Sequence, residues 1–221
     1  TSALCVIAVL VTLWGVRLSF NFARKDGYTG TEDYRWSVLR GKIKNPFLWQ
    51  MFNLLFICAY QIGMFILFTW AVYSVTKTGN ECSTLFCLFA VLAFVFICIE
   101  TAADQMQWNF HIAKKAGREG KQFPDKYINN VKNGFLSQGL FRYSRHPNYF
   151  GELGFWWSIW LMGLSLSGDF MRSGFWGPVM LTILFIGSTI FTESITGGKY
   201  EKYREYKART SPIIPWFAGK E

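Results

Sequence analysis

Both signatures by which soluble proteins hold nucleotides are missing from this sequence, which has no Gly-x-Gly-x-x-Gly run and no Walker-type loop. A nucleotide would have to be held by a non-Rossmann arrangement among helix ends. The five cysteines (Cys5, Cys58, Cys82, Cys87 and Cys98) contain no Cys-x-x-Cys pair and have no histidine-rich cluster beside them, so no metal site is expected. Cys82 and Cys87 are read as small hydrophobes rather than as a disulfide. Low-complexity linkers and internal repeats are absent too, and a single domain over residues 1–221 is expected. Two loops are poor in positive charge: 76–83 holds only Lys77, and 167–174 only Arg172.

What the sequence does have is apolar length. Of its 221 residues, 51% are hydrophobic and 19% aromatic. They fall in five blocks, at 2–22, 47–75, 84–103, 149–166 and 175–192. A helix needs about 20 apolar residues to cross roughly 30 Å of hydrocarbon. Soluble helices would show a polar face, and these blocks are apolar on nearly all sides. The few acids stand at block ends: Glu100, Glu152 and Glu193. The block at 47–75 suits either a strongly tilted helix or one with an interfacial extension. Because the chain opens inside its first block, at least one further N-terminal span is expected. The expected fold is therefore all-α, a polytopic transmembrane helical bundle of at least five spans.

The formal charge of +9 is concentrated in three segments: after the first block, between the third and fourth, and in the tail. By the positive-inside rule all three are cytoplasmic, and alternation of five spans puts them on one side. Topology and anionic headgroups account for the basic excess, so membrane lipids are expected partners and nucleic acid is not. The expected location is the endoplasmic reticulum or another endomembrane in a eukaryote, and the inner membrane in a bacterium.

Ionisable groups inside apolar spans cost about 2.5–3.5 kcal/mol on insertion scales unless paired, which makes them functional candidates. Arg17 lies in the first block, and Arg24 lies about two helical turns further on the same face. Glu100 and Asp104 sit one turn apart at the end of the third. Buried ion pairing with Arg17 is the structural alternative for these acids. The densest cluster runs Leu140-Phe141-Arg142-Tyr143-Ser144-Arg145-His146-Pro147-Asn148-Tyr149-Phe150-Gly151-Glu152. Pro147 suits the first turn of a helix, and a helix N-terminus beside two arginines makes an anion site. Glu152 would stand one turn inside, able to accept from a ribose hydroxyl or an amide. Residues 199–207 read as a short amphipathic helix with Tyr200, Tyr203 and Tyr206 recurring, either interfacial or facing a cofactor.

At the string Arg145–Glu152 the chain resembles the membrane reductases related to steroid 5-alpha-reductase, especially their bacterial-type and lower-eukaryotic branch. Three other pieces are similar in order: Trp14-Gly15-Val16-Arg17-Leu18, Glu32-Asp33-Tyr34-Arg35-Trp36, and Tyr206-Lys207-Ala208-Arg209-Thr210 with Ile214-Pro215-Trp216-Phe217. The resemblance covers nearly the whole chain. It implies NADPH in a pocket open to the cytosolic face and reduction of a carbon–carbon double bond conjugated to a ketone in a lipophilic small molecule. Asp104, Asn148 and Glu152 match cofactor contacts, and Arg142, Arg145 and Arg209 match phosphate contacts. Arg17, Arg24, His146, Tyr149 and Tyr206 complete the cofactor candidates.

The family's steroid reductases engage the substrate ketone with a tyrosine where this chain has Trp14. Tyr34 and Glu32 are accordingly the candidate catalytic donors. A similar Arg-His-Pro-x-Tyr-x-Gly string and tyrosine-rich tail occur in membrane methyltransferases of the isoprenylcysteine carboxyl type, which bind S-adenosylmethionine. Asn148, Glu152 and the Glu32–Arg35 loop favour the reductase. A non-catalytic membrane scaffold is the third reading.

Overall fold

The computed structural model describes residues 2–30, 34–76, 82–171 and 173–217. Glu32 therefore lies outside the described residues, and of Tyr34 only the backbone is described, as the first residue of a helix. Among the described residues there is no named strand, only an isolated parallel bridge between Ser144 and Ser211. Two compact units are distinguished, one formed by 1–94 with 156–183 and the other by 95–155 with 184–221.

The first unit begins with α1 (Ser2–Arg24) and the short α2 (Tyr34–Lys42). Next come α3 (Pro46–Phe52), a π-helical stretch (Asn53–Tyr60) and α4 (Gln61–Thr76), one unbroken run of 31 residues. Asn45 starts it: its side-chain oxygen accepts from the N–H groups of Phe47 (2.9 Å) and Leu48 (3.3 Å), while Pro46 occupies a position that needs no donor. At about 1.5 Å per residue the run is roughly 46 Å long, well beyond the hydrocarbon thickness. The block expected as a tilted or extended span is thus longer than the membrane core requires. Along it Phe52, Phe56 and Tyr60 stack in succession, at 5.1 and 5.6 Å between centroids. Trp156 is the interior anchor of this unit, stacked on Phe68 at 4.0 Å and met edge-on by Trp14 at 5.0 Å. Trp14 thus packs edge-on against a buried aromatic pair.

The second unit holds the later part of α5 (Thr84–Arg118), α6 (Ile128–Asn133), the start of α7 (Pro147–Ser167), the end of α8 (Trp176–Lys199) and α9 (Tyr203–Arg209). Its core gathers Ala103, Phe110, Ala113, Tyr127, Leu136 and Phe141, with Phe135, Tyr203 and Tyr206 forming a second cluster. Gly134 ends α6 at φ 86°, a left-handed conformation that favours glycine. The Asn130 side-chain oxygen then accepts from the Ser137 N–H (2.9 Å) and hydroxyl (3.1 Å), holding the chain as it turns.

Among the described residues, four helices are long and apolar enough to cross a membrane: Ser2–Arg24, Pro46–Thr76, Thr84–Arg118 and Trp176–Lys199. The chain is a multi-pass membrane protein. The remaining block, 149–166, lies in α7, which has 21 residues, none of them exposed. Its length of about 31 Å matches the hydrocarbon core. A helix that presents no exposed residue needs no lipid-compatible surface, so it can carry Asn148, Glu152 and serines that lower its hydropathy.

Candidate functional site

The motif loop and the tail are far apart in sequence and joined in space. The Arg145 N–H donates to the Ser211 carbonyl (2.8 Å), the His146 N–H to that of Pro212 (3.1 Å), and the Trp216 N–H to that of Tyr143 (3.0 Å). Ser144, fully buried, donates its hydroxyl to the Ile213 carbonyl at 2.7 Å. Backbone pairing of this kind satisfies polar groups that the loop could not satisfy alone. The loop enters α7 at Pro147, as its sequence predicts.

Glu193, near the end of α8 and 4% exposed, is the hub beneath this junction. One carboxylate oxygen accepts from Arg145 Nε at 2.6 Å and lies 3.3 Å from His146 Nε2. The other accepts from Arg145 Nη2 at 3.2 Å and lies 3.0 Å from the Lys207 ammonium. Arg145 Nη1 donates in turn to the backbone carbonyls of Lys207 (2.9 Å) and Thr210. A buried carboxylate is tolerable only when paired and hydrogen-bonded, and Glu193 is both. The guanidinium thus ties α8 to α9 and to the chain beyond it.

Aromatic rings complete the arrangement. The Tyr149 ring stacks between His146 (5.0 Å) and Phe185 (4.3 Å), with its hydroxyl 3.2 Å from that of Ser188. Tyr206 donates to the Phe141 carbonyl at 2.5 Å and stacks on Phe135 at 5.3 Å. Burial pushes the Tyr206 phenol well above its ordinary value, so it stays protonated across the physiological range. Of the tail tyrosines, Tyr203 and Tyr206 therefore pack on Phe135, and Tyr206 alone also holds the motif loop through Phe141.

Of the candidates, Asp104, Arg142, Arg145, His146, Asn148, Tyr149, Glu152, Tyr206 and Arg209 belong to the second unit, whereas Arg17, Arg24 and Tyr34 belong to the first. Within the second, Glu193 gathers Arg145 and His146, and ring stacking adds Tyr149. Asp104 is buried, as is Glu100 one turn before it. Asn148 and Glu152 are half-buried one turn apart on α7, while Arg142 and Arg209 are exposed. Ser144, Lys207 and above all Glu193 were not among the candidate site residues. Its signal was present, a carboxylate closing an apolar span opposite a strongly basic tail, but it marked a boundary and not a partner for Arg145.

Residues 1–210 match the family model described as protein of unknown function (DUF1295). An uncharacterized protein of Schizosaccharomyces pombe is 32% identical over 222 residues, covering 98% of this chain. This chain spans 64% of that relative's own length. No solved structure matches.

Proposed function

The chain belongs to the DUF1295 family, and from that premise we propose that it is an NADPH-dependent reductase of a conjugated carbon–carbon double bond in a lipophilic substrate. The observation that carries this reading is the joining of the Arg145–Glu152 string to the Tyr206–Phe217 tail, two of the pieces on which the resemblance to the steroid 5-alpha-reductase-related reductases rests.

The donor set fits a dinucleotide. Asn148 offers an amide and Glu152 a carboxylate from the same face of α7, both half-buried, which suits a ribose and an amide of the cofactor. Arg142 and Arg209 are exposed guanidiniums and suit its phosphates. Arg145 acts differently: with four hydrogen bonds directed to Glu193 and to tail carbonyls, it positions the loop and tail. NADPH, when bound, supplies a hydride. Tyr34 or Glu32 would polarise the substrate ketone and hold the proton that completes the reduction.

Replacing Glu152 by glutamine keeps the side chain's size and removes its charge. NADPH affinity is expected to fall about tenfold to a hundredfold, the worth of a charge-assisted hydrogen bond. The unfolding midpoint should not change. Fluorescence titration of the purified protein with NADPH and with S-adenosylmethionine reads both arms. Unchanged NADPH affinity in Glu152→Gln would remove the site, and saturable binding of S-adenosylmethionine alone would replace the reductase by a methyltransferase.

A further inference from the structure

A second basic site lies in the same unit, away from the Glu193 hub. Lys114 and Arg118 from the end of α5, Lys132 from α6, and Lys199 from the end of α8 line a cleft of about 370 Å³ with Gly134 and Tyr200. That size is in the range of pockets for small molecules, larger than a phosphate ion needs alone. No acidic residue lines it among the described residues. Glu193, seven residues before Tyr200 on the α8 side, is engaged by Arg145 and Lys207 and does not neutralise it.

The cleft is built, not merely charged. The Lys114 ammonium donates to the Gly134 carbonyl (2.5 Å) and to the Tyr200 hydroxyl (3.0 Å), which fixes one wall and leaves it a third N–H. Tyr200 is affected by the two lysines beside it. Burial alone would raise its phenol, yet hydrogen bonding and charge from Lys114, with Lys199 beside it, outweigh burial and bring it below its ordinary value. Gly134 holds a left-handed conformation, and a Cβ there would overlap the Tyr200 ring. This lets the loop carbonyl and the tyrosine share one wall.

We propose that this cleft binds a phosphate-bearing anion, a phosphomonoester presented by a lipid headgroup or by a soluble compound. Lys199 stands seven residues beyond the apolar stretch ending at 192, about 10 Å of helix rise. The headgroup layer is about 5–8 Å deep on each side of the hydrocarbon. Lys199 is therefore at the outer edge of the headgroups, within reach of a projecting phosphate and of solvent. Four cations line the cleft and a phosphomonoester carries about two negative charges, so one such group is bound and the remaining charge is screened by salt. The inference does not depend on the reductase reading.

The test uses the whole protein in phosphatidylcholine nanodiscs, titrated with inorganic pyrophosphate, and the same protein in nanodiscs doped with phosphatidic acid or with phosphatidylserine. Arg118→Gln with Lys132→Gln removes two exposed cations of the cleft. Lys126→Gln with Lys202→Gln removes the same charge from outside the cleft. Binding should weaken about tenfold or more in the first pair and little in the second. Pyrophosphate and phosphatidic acid both binding supports a site for the phosphate group itself, and phosphatidic acid alone supports a headgroup site. Equal losses in the two pairs, equal binding of phosphatidylserine, or no binding of either phosphate probe overturns the proposal. A parallel fall in NADPH affinity in the first pair would also overturn it, by making the cleft part of the cofactor site.

Discussion

Alanine in place of Glu193 should destabilise the protein by about 3–5 kcal/mol, the cost of stranding a buried charge whose partner has been removed. Arg145 is 9% exposed, and its Nε and Nη2 donate to Glu193. Without the carboxylate, the guanidinium must find water or drag the loop outward, and the tail carbonyls it holds go with it. Two contrasts separate charge from shape. Lys207 has a half-exposed side chain (52%), so Lys207→Met should cost no more than about 1 kcal/mol. Arg145→Met combined with Glu193→Leu should recover much of the loss, since an apolar pair of similar volume often replaces a buried ion pair without penalty. Thermal unfolding in detergent, followed by tryptophan fluorescence, reads all three. A Glu193→Ala midpoint equal to the parent's would show that the hub is not a stability element.

Valine at Gly151 is the second large effect expected, a loss of about 1–3 kcal/mol from forcing two helices apart. A Cβ built on Gly151 would meet the Glu100 backbone nitrogen and the Phe96 carbonyl oxygen at 2.9 Å each, and the Glu100 Cβ at 2.7 Å. Two of these three atoms are backbone, so no side-chain rotation relieves the overlap. Small residues allow close helix approach inside membranes, where packing drives association. The glycine in the motif string thus has a mechanical reason that is independent of any ligand. Gly63, in α4, has nothing within 4 Å of its missing Cβ. Gly63→Ala should therefore be neutral or stabilising by up to about 1 kcal/mol, the helix-propensity gain. Equal unfolding midpoints for the Gly151 and Gly63 variants would contradict the close-approach account.

Periodicity and apolar length were enough to place the long helices, because lipid imposes a length that no soluble core demands. The blocks at 2–22, 84–103 and 175–192 correspond to α1, α5 and α8, and Pro147 opens α7. The interior status of α7 was not legible in the same way. Asn148, Glu152 and the serines lower its hydropathy, but only packing shows that none of its residues is exposed. The π-helical turn at Asn53–Tyr60 had no signal in hydropathy either, since widening one turn leaves composition untouched.

Local chemistry dictated the membrane class of this protein and the helix start at Pro147, since each depends on neighbours in the chain. Pairing was decided by tertiary structure alone. Arg145 meets Glu193, Lys114 meets Tyr200, and Ser144 meets Ile213 across separations of 48, 86 and 69 residues. A charge announces that it needs a partner once buried, but many carboxylates and carbonyls can serve it equally well. Which one does is set by how the helices pack, and that is a property of the whole unit rather than of any segment.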